Sequence, residues 1–201
     1  MQEKNYGETS MDYPELVKQR RTIRRFTQDK IPTDMLKKLV DYARIAPTGG
    51  NNQSLSYIII NDPETREKIF PLLRWAASLP ERERTPPEGK RPMAYIIVLN
   101  DMKARGGGDF AVGAAVENIL LGAVFHGLGA CWMGAIDRKK IQKTLDIPKQ
   151  YEIKHVISLG HPAEESIMEP YEGSCKYWKD EEGKMHVPKR SLDDVIFKII
   201  E

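Results

Sequence analysis

A chain of 201 residues has room for one domain with a substantial core, and its formal net charge of +2 excludes the strongly basic balance of a protein that grips nucleic acid by bulk electrostatics. Its 40% hydrophobic and 30% charged residues are ordinary for a globular protein, and residues 1–6 lack the apolar run of a signal peptide. Two cysteines, Cys131 and Cys175, give neither metal-ligand spacing nor a disulfide framework, so a cytoplasmic chain with no bound metal, no membrane contact and no nucleic-acid partner is expected.

Asp12 or Tyr13 followed by Pro14 marks a helix start, because proline is tolerated where its missing N–H has no partner anyway. That helix runs through Leu16 and Val17 into Arg20-Arg21-Thr22-Ile23-Arg24-Arg25-Phe26, four guanidinium groups within seven residues. The β-branched pair Thr22 and Ile23 predicts an extended stretch with Arg20, Thr22 and Arg24 on one face and Arg21, Ile23 and Arg25 on the other. An Arg–Thr–Arg face suits a phosphate, since guanidinium offers paired planar donors and the hydroxyl adds a third. A solvated basic surface is the plain alternative.

Thr33 is expected to cap a helix with Leu36, Leu39, Val40 and Ala43 at helical spacing, ended by Pro47. Then comes Pro47-Thr48-Gly49-Gly50-Asn51-Asn52-Gln53, a turn-rich loop whose amides suit the imide edge of a heterocycle, followed by a strand over 55–60. Asp62-Pro63 opens a helix toward Leu73, and 75–92 is polar, proline-rich and expected to be irregular. Residues 94–99 form a central-strand candidate, and the glycines at 106–108 form a hinge or loop tip without the lysine of a phosphate loop.

The helix over 109–126 is the most apolar of the chain, yet Glu117 and Asn118 argue for a core or subunit-interface helix rather than a membrane span. Gly127-Leu128-Gly129 ends it, a short strand leads through Cys131 to Gly134, and Asp137 caps the next helix. A strand over 153–159 follows. Residues 164–188 show no periodicity, which suits an arm laid over a partner, and Ser191-Leu192-Asp193-Asp194 reads as a helix start before an apolar end.

Four separated pieces now form a set: the arginine tract, Ala46-Pro47-Thr48-Gly49-Gly50-Asn51-Asn52-Gln53, Gly127-Leu128-Gly129-Ala130-Cys131-Trp132-Met133-Gly134, and Lys189-Arg190. In that order and at these separations the chain resembles the nitroreductase family of FMN-dependent NAD(P)H oxidoreductases. The resemblance implies an α+β fold, a mostly antiparallel central sheet flanked by helices, in an intertwined homodimer. It also implies a single FMN-binding domain over 1–201, with 164–201 as a C-terminal arm.

Carried over residue by residue, the resemblance gives the phosphate to Arg20, Thr22 and Arg190 with Arg21 beside them, and the pyrimidine edge of the flavin to Arg24. Pro47, Thr48, Gly49 and Asn51 would touch the ring from the partner subunit, with Gln53 at the loop end. Met133 and Gly134 would offer backbone donors near N5 and O4, and Cys131 and Trp132 a wall. A cation such as Arg24 near N1 favours the reduced, more negative flavin, so it would act as a tuner rather than an acid or base. Cys131 has no matched histidine and lies in an apolar strand, which argues against a reactive thiol.

The implied activity is hydride transfer from NADH or NADPH to a nitroaromatic, quinone or similar flat acceptor. Two departures bear on it. Ser54-Leu55-Ser56 replaces the proline and aromatic residue usual after the amide loop, and residues 74–91 are a short cover on the substrate side. Two alternatives remain open: the same cofactor running dehalogenation or oxygen-dependent flavin chemistry, or a non-enzymatic module that binds a nucleotide or another anion.

Overall fold

The computed structural model describes residues 12–104 and 108–201; the N-terminal residues 1–6 and most of the expected glycine hinge, residues 105–107, lie outside them. Helix α1 (Tyr13–Gln19) begins at Asp12, whose carboxylate accepts from the Glu15 N–H at 2.9 Å. Helix α2 (Thr33–Arg44) buries Leu36, Leu39 and Ala43, and strand β1 (Leu55–Ile60) follows the amide loop. Asp62 caps α3 (Pro63–Ile69), which tightens into a 3₁₀ turn over Phe70–Leu72, and α4 (Glu81–Arg84) is a single turn. Then come β2 (Ala94–Asp101), α5 (Asp109–Phe125), β3 (Gly129–Met133), α6 (Arg138–Thr144) and β4 (Tyr151–Gly160). The chain ends with β5 (Ser166–Pro170), β6 (Trp178–Lys179), β7 (Met185–Lys189) and α7 (Leu192–Val195).

Strands β1 to β4 form one sheet in the order β1-β2-β4-β3, antiparallel throughout, so β1 and β3 are its two edges. Side-chain alternation along β2 sorts the core into two layers. Ile96 and Val98 meet α2 and α5 through Leu36, Leu39, Val116 and Ile119, whereas Tyr95, Ile97 and Leu99 meet Ile69, Phe70, Leu73, Trp75 and Leu79 on the opposite face. The expected α+β class with an antiparallel sheet flanked by helices is what the chain forms. No helix among the described residues is long and apolar enough to cross a membrane.

Three local expectations are corrected. Thr33 is the first residue of α2 rather than its cap, and its hydroxyl accepts from Asn61 Nδ2 at 3.1 Å. The segment 164–188 is not irregular: β5 and β7 run parallel with β6 antiparallel on the other side of β7, a second sheet in the order β5-β7-β6. Short strands interrupted by Pro170 and Pro188 carry too little period-two signal to be legible. The arginine tract, third, pairs with the sheet only through isolated bridges at Thr22 and Phe26.

Candidate functional site

The tract does not become a strand. It meets β3 through one parallel bridge, Thr22 to Ala130, where the Ile23 N–H donates to the Ala130 carbonyl at 2.9 Å. Past the end of β4 it meets Pro162 through one antiparallel bridge at Phe26. The two buried anchors, Ile23 and Phe26, are three residues apart, which breaks strict alternation. Backbone glycine makes room for both. A Cβ on Gly129 would fall 2.9 Å from Ile23 Cβ, and one on Gly160 only 2.6 Å from Phe26 Cβ.

With the backbone so pinned, the four arginines go separate ways. Arg20 Nε lies 3.2 Å from Glu117 Oε1 on α5, an ion pair without hydrogen-bond alignment. Arg21 reaches back to the Val17 carbonyl; burial and then the neighbouring Arg20 charge press its guanidinium below the usual arginine value, with Glu117 opposing. The Arg24 guanidinium sits 4.9 Å from the centre of the Tyr177 ring, in cation–π range, beside the Cys131 thiol. Arg25 is bound to Glu164 at 3.2 Å and to the Glu83 carbonyl at 2.7 Å.

Strand β3 continues this edge. Burial pushes the Cys131 thiol up to about 11 despite the nearby Arg24, so it stays protonated at neutral pH and is no nucleophile. Trp132 is 40% exposed and packs edge-on against His155, with ring centres 5.2 Å apart. Met133 turns its side chain inward, where its sulfur accepts from Ser158 Oγ at 3.2 Å, so that residue offers a ligand its backbone alone. Gly134 follows, exposed.

The amide loop lies at the other edge. A 3₁₀ turn over Gly49–Asn51 holds it, with Gly50, Asn51 and Gln53 all at positive φ. Its polar groups are partly used internally: Thr48 Oγ1 accepts from the Gln53 N–H at 3.3 Å and Asn52 Oδ1 from the Ser54 N–H at 3.2 Å. Pro47, Gly49, Asn51 and Gln53 present an exposed surface. Leu55 pairs with Asn100 at one end of β2, while Ala130, the tract's partner, is reached through Leu159 from Ala94 at the other end. Three strand spacings and six residues of rise put loop and tract more than about 20 Å apart.

Arg190 stands apart as well. Met185 at the start of β7 donates its N–H to the Glu165 carbonyl near the tract, but Arg190 lies five residues further on, about 16 Å of strand rise. There it is exposed, bonds the Asp194 carbonyl and lines a cavity of about 440 Å³ with Met168, Tyr171 and Leu192. One chain therefore sets Arg20, Arg21, Thr22 and Arg24 along the β3 edge that also carries Cys131, Trp132, Met133 and Gly134. It leaves the amide loop and Arg190 outside that group.

Unsatisfied donors remain on both edges. Arg20 Nε, Arg21 Nε and Asn52 Nδ2 are buried with no hydrogen-bond partner among the described residues. Such groups cost free energy unless something accepts from them. A phosphate would accept from the arginines and a ring carbonyl from the amide, so the donor set fits the FMN that the sequence resemblance implies. Glu164, Tyr177 and His155 escape sequence reasoning, since a lone polar residue on a strand or loop has no periodic signature.

Sequence and fold are shared with known proteins. The Nitroreductase family description matches residues 17–161. A protein of Archaeoglobus fulgidus, assigned provisionally as an NADH dehydrogenase/NAD(P)H nitroreductase, is 31% identical over 73% of this chain and 83% of its own length. A 5,6-dimethylbenzimidazole synthase of Rhodospirillum rubrum is 26% identical over 73% of this chain and 80% of its own. In fold, the chain matches an FMN-dependent nitroreductase of Clostridium difficile R20291 with a TM-score of 0.59 at 24% identity, over 79% of this chain and 91% of that one.

Proposed function

The chain belongs to the nitroreductase family, and from that membership we propose that it is an FMN-dependent oxidoreductase carrying a hydride from NADH or NADPH to a flat, electron-poor acceptor such as a nitroaromatic or quinone. Supporting the reductant is the NAD(P)H in the name of the Archaeoglobus fulgidus relative; supporting the cofactor is the FMN dependence of the Clostridium difficile nitroreductase. The observation that carries the reading is the pair of buried Nε groups on Arg20 and Arg21 that have no hydrogen-bond acceptor among the described residues, in a tract pinned by Ile23 and Phe26.

Bound FMN would supply the hydride relay, and this chain's residues hold and bias it. Arg20 and Thr22 take the phosphate, with Arg21 beside them. Arg24, which has no carboxylate partner among the described residues, sets a positive charge where the ring becomes more negative on reduction. Met133 and Gly134 offer backbone to the reactive edge, with Cys131 and Trp132 as the wall. The amide loop, with Pro47, Thr48, Gly49, Asn51 and Gln53, comes from a second copy, because it sits at the opposite edge of its own sheet. We read the chain as one domain over 1–201, working as a homodimer on a small substrate, with 164–201 as an arm. Where that arm lies against the second copy decides whether Arg190 reaches the phosphate.

The visible spectrum of the purified protein tests this directly. A flavin spectrum, bleached by NADH or NADPH without oxygen and restored by a quinone, is expected; a colourless protein that takes up no added FMN overturns the reading. A second reading, the same cofactor running another reaction, is favoured by the Rhodospirillum rubrum relative named as a synthase. Turnover of an acceptor panel under air and under nitrogen separates the two: acceptor reduction independent of oxygen supports the first.

A further inference from the structure

We propose that Glu164 is a positioning residue for the cofactor, acting through Arg24; the proposal rests on the reading that Arg24 meets the flavin ring. The Glu164 side chain is only 3% exposed. Its Oε1 accepts from the Arg24 N–H at 2.6 Å and the Arg25 N–H at 3.2 Å, and its Oε2 from Arg25 Nη1 at 3.2 Å and Lys179 Nζ at 2.9 Å. Two consecutive amides donate to one oxygen, so the Arg24 and Arg25 N–H groups lie on the same side of the chain instead of alternating as in a strand. That is where the tract departs from the expected alternation.

A buried carboxylate is costly unless paired and hydrogen-bonded, and this one is both. Burial alone would push it up, but the Lys179 ammonium, the Arg24 amide and the Arg25 charge outweigh burial and hold it below the ordinary glutamate value. The charge of Glu164 is directed at Arg25 and Lys179, not at the Arg24 guanidinium. Arg24 therefore keeps its charge free of a carboxylate while its backbone is clamped, and Tyr177, two residues before Lys179, stacks over it. Tyr177 is itself tied to the 75–92 segment, accepting from the Ser78 N–H at 3.4 Å. One carboxylate thus joins the tract to the second sheet and fixes where the Arg24 charge points, while Arg25 through the Glu83 carbonyl and Tyr177 through Ser78 tie both to the substrate-side cover.

A double-mutant cycle tests action through Arg24. FMN dissociation constants and reduction potentials are measured for the wild type, Glu164→Gln, Arg24→Ala and the double variant, with circular dichroism as the check on folding. Gln keeps an acceptor for the amides but turns an NH₂ toward Arg25 and Lys179, so Glu164→Gln is expected to weaken FMN binding roughly tenfold when Arg24 is present. With Arg24→Ala the same change is expected to cost less than about twofold, since the group it positions is gone.

Equal losses in both backgrounds mean a general structural role and overturn the proposal. An Arg24→Ala protein with unaltered affinity and potential overturns it together with the role given to Arg24, whereas a wild type that binds no FMN overturns the proposed function itself. If Glu164→Gln does not fold, Glu164→Asp, which keeps the charge and shortens the reach, enters the same cycle with the same criteria. In the flavin-free protein Glu164→Asp should also speed hydrogen exchange at the Arg24 and Arg25 amides together, and unchanged exchange at both speaks against the clamp.

Discussion

The two edges of the four-stranded sheet hold polar residues in opposite ways. At the β3 edge the arginine tract is wound into the core, with Ile23 and Phe26 seated on Gly129 and Gly160 and a buried carboxylate gripping the backbone between them. At the β1 edge the amide loop closes on itself through its own hydroxyl and amide and leaves its outer surface bare. On the proposed function, the contrast teaches a division of labour: the charged end of a ligand would meet rigid groups that the fold has already placed, and the flat end a loop shaped in advance but left uncovered by its own chain. Preorganisation of this kind lowers the ordering cost on binding.

The largest test of the contrast is Phe26→Ala. Removing a fully buried aromatic ring that seats the tract on Gly160 should cost about 3–5 kcal/mol of stability, read as a lowered urea midpoint. A stability loss below about 1 kcal/mol would show that the tract is not part of the core. Next comes Arg20→Ala, expected to weaken FMN binding about tenfold while leaving the urea midpoint nearly unchanged, because its ion pair with Glu117 is partly exposed. Loss of stability in step with affinity would make Arg20 structural.

On the other edge, Gly50→Ala puts a side chain at φ +59° in open space, so strain alone acts, at about 1 kcal/mol. Its effect should fall on FMN affinity and on dimer formation rather than on the core, measured by titration and by sedimentation. The smallest expected effect is in the second sheet. His186 Nδ1 lies 2.9 Å from Glu169 Oε2 and its Nε2 3.0 Å from Asp180 Oδ2, while Trp178 stacks on the ring at 4.0 Å. Asp180 raises the imidazole above its ordinary value, burial opposes, and Glu169 adds to the rise.

The sign follows from linkage. A raised folded-state value stabilises fully below the unfolded value of about 6.5 and is lost as pH rises through the folded value. Limited proteolysis of residues 164–201 should therefore quicken on the alkaline side of that window, and His186→Phe should remove the difference. Cleavage insensitive to pH in the wild type would show that the cluster does not hold the second sheet.

How far the sequence carried follows the same physics. The starts of α1, α3, α5 and α6 were legible because proline, aspartate and glycine mark helix ends by local chemistry, and β2 because six consecutive apolar residues, 94–99, admit little else. The charge of the tract was legible but its shape was not, since that shape depends on Glu164, which lies 139 and 140 residues away. The second sheet was missed for want of period, and the separation of loop from tract became visible only through strand order. Sequence spacing carries no information on which edge a strand takes.

That strand order has a consequence for anyone handling the protein. If one chain supplies the grip on the phosphate and another the cradle for the ring, flavin retention is second order in protein, so serial dilution should bleed cofactor from the sample and specific activity should sag. Adding back a variant whose tract is ruined but whose loop is intact should restore part of it.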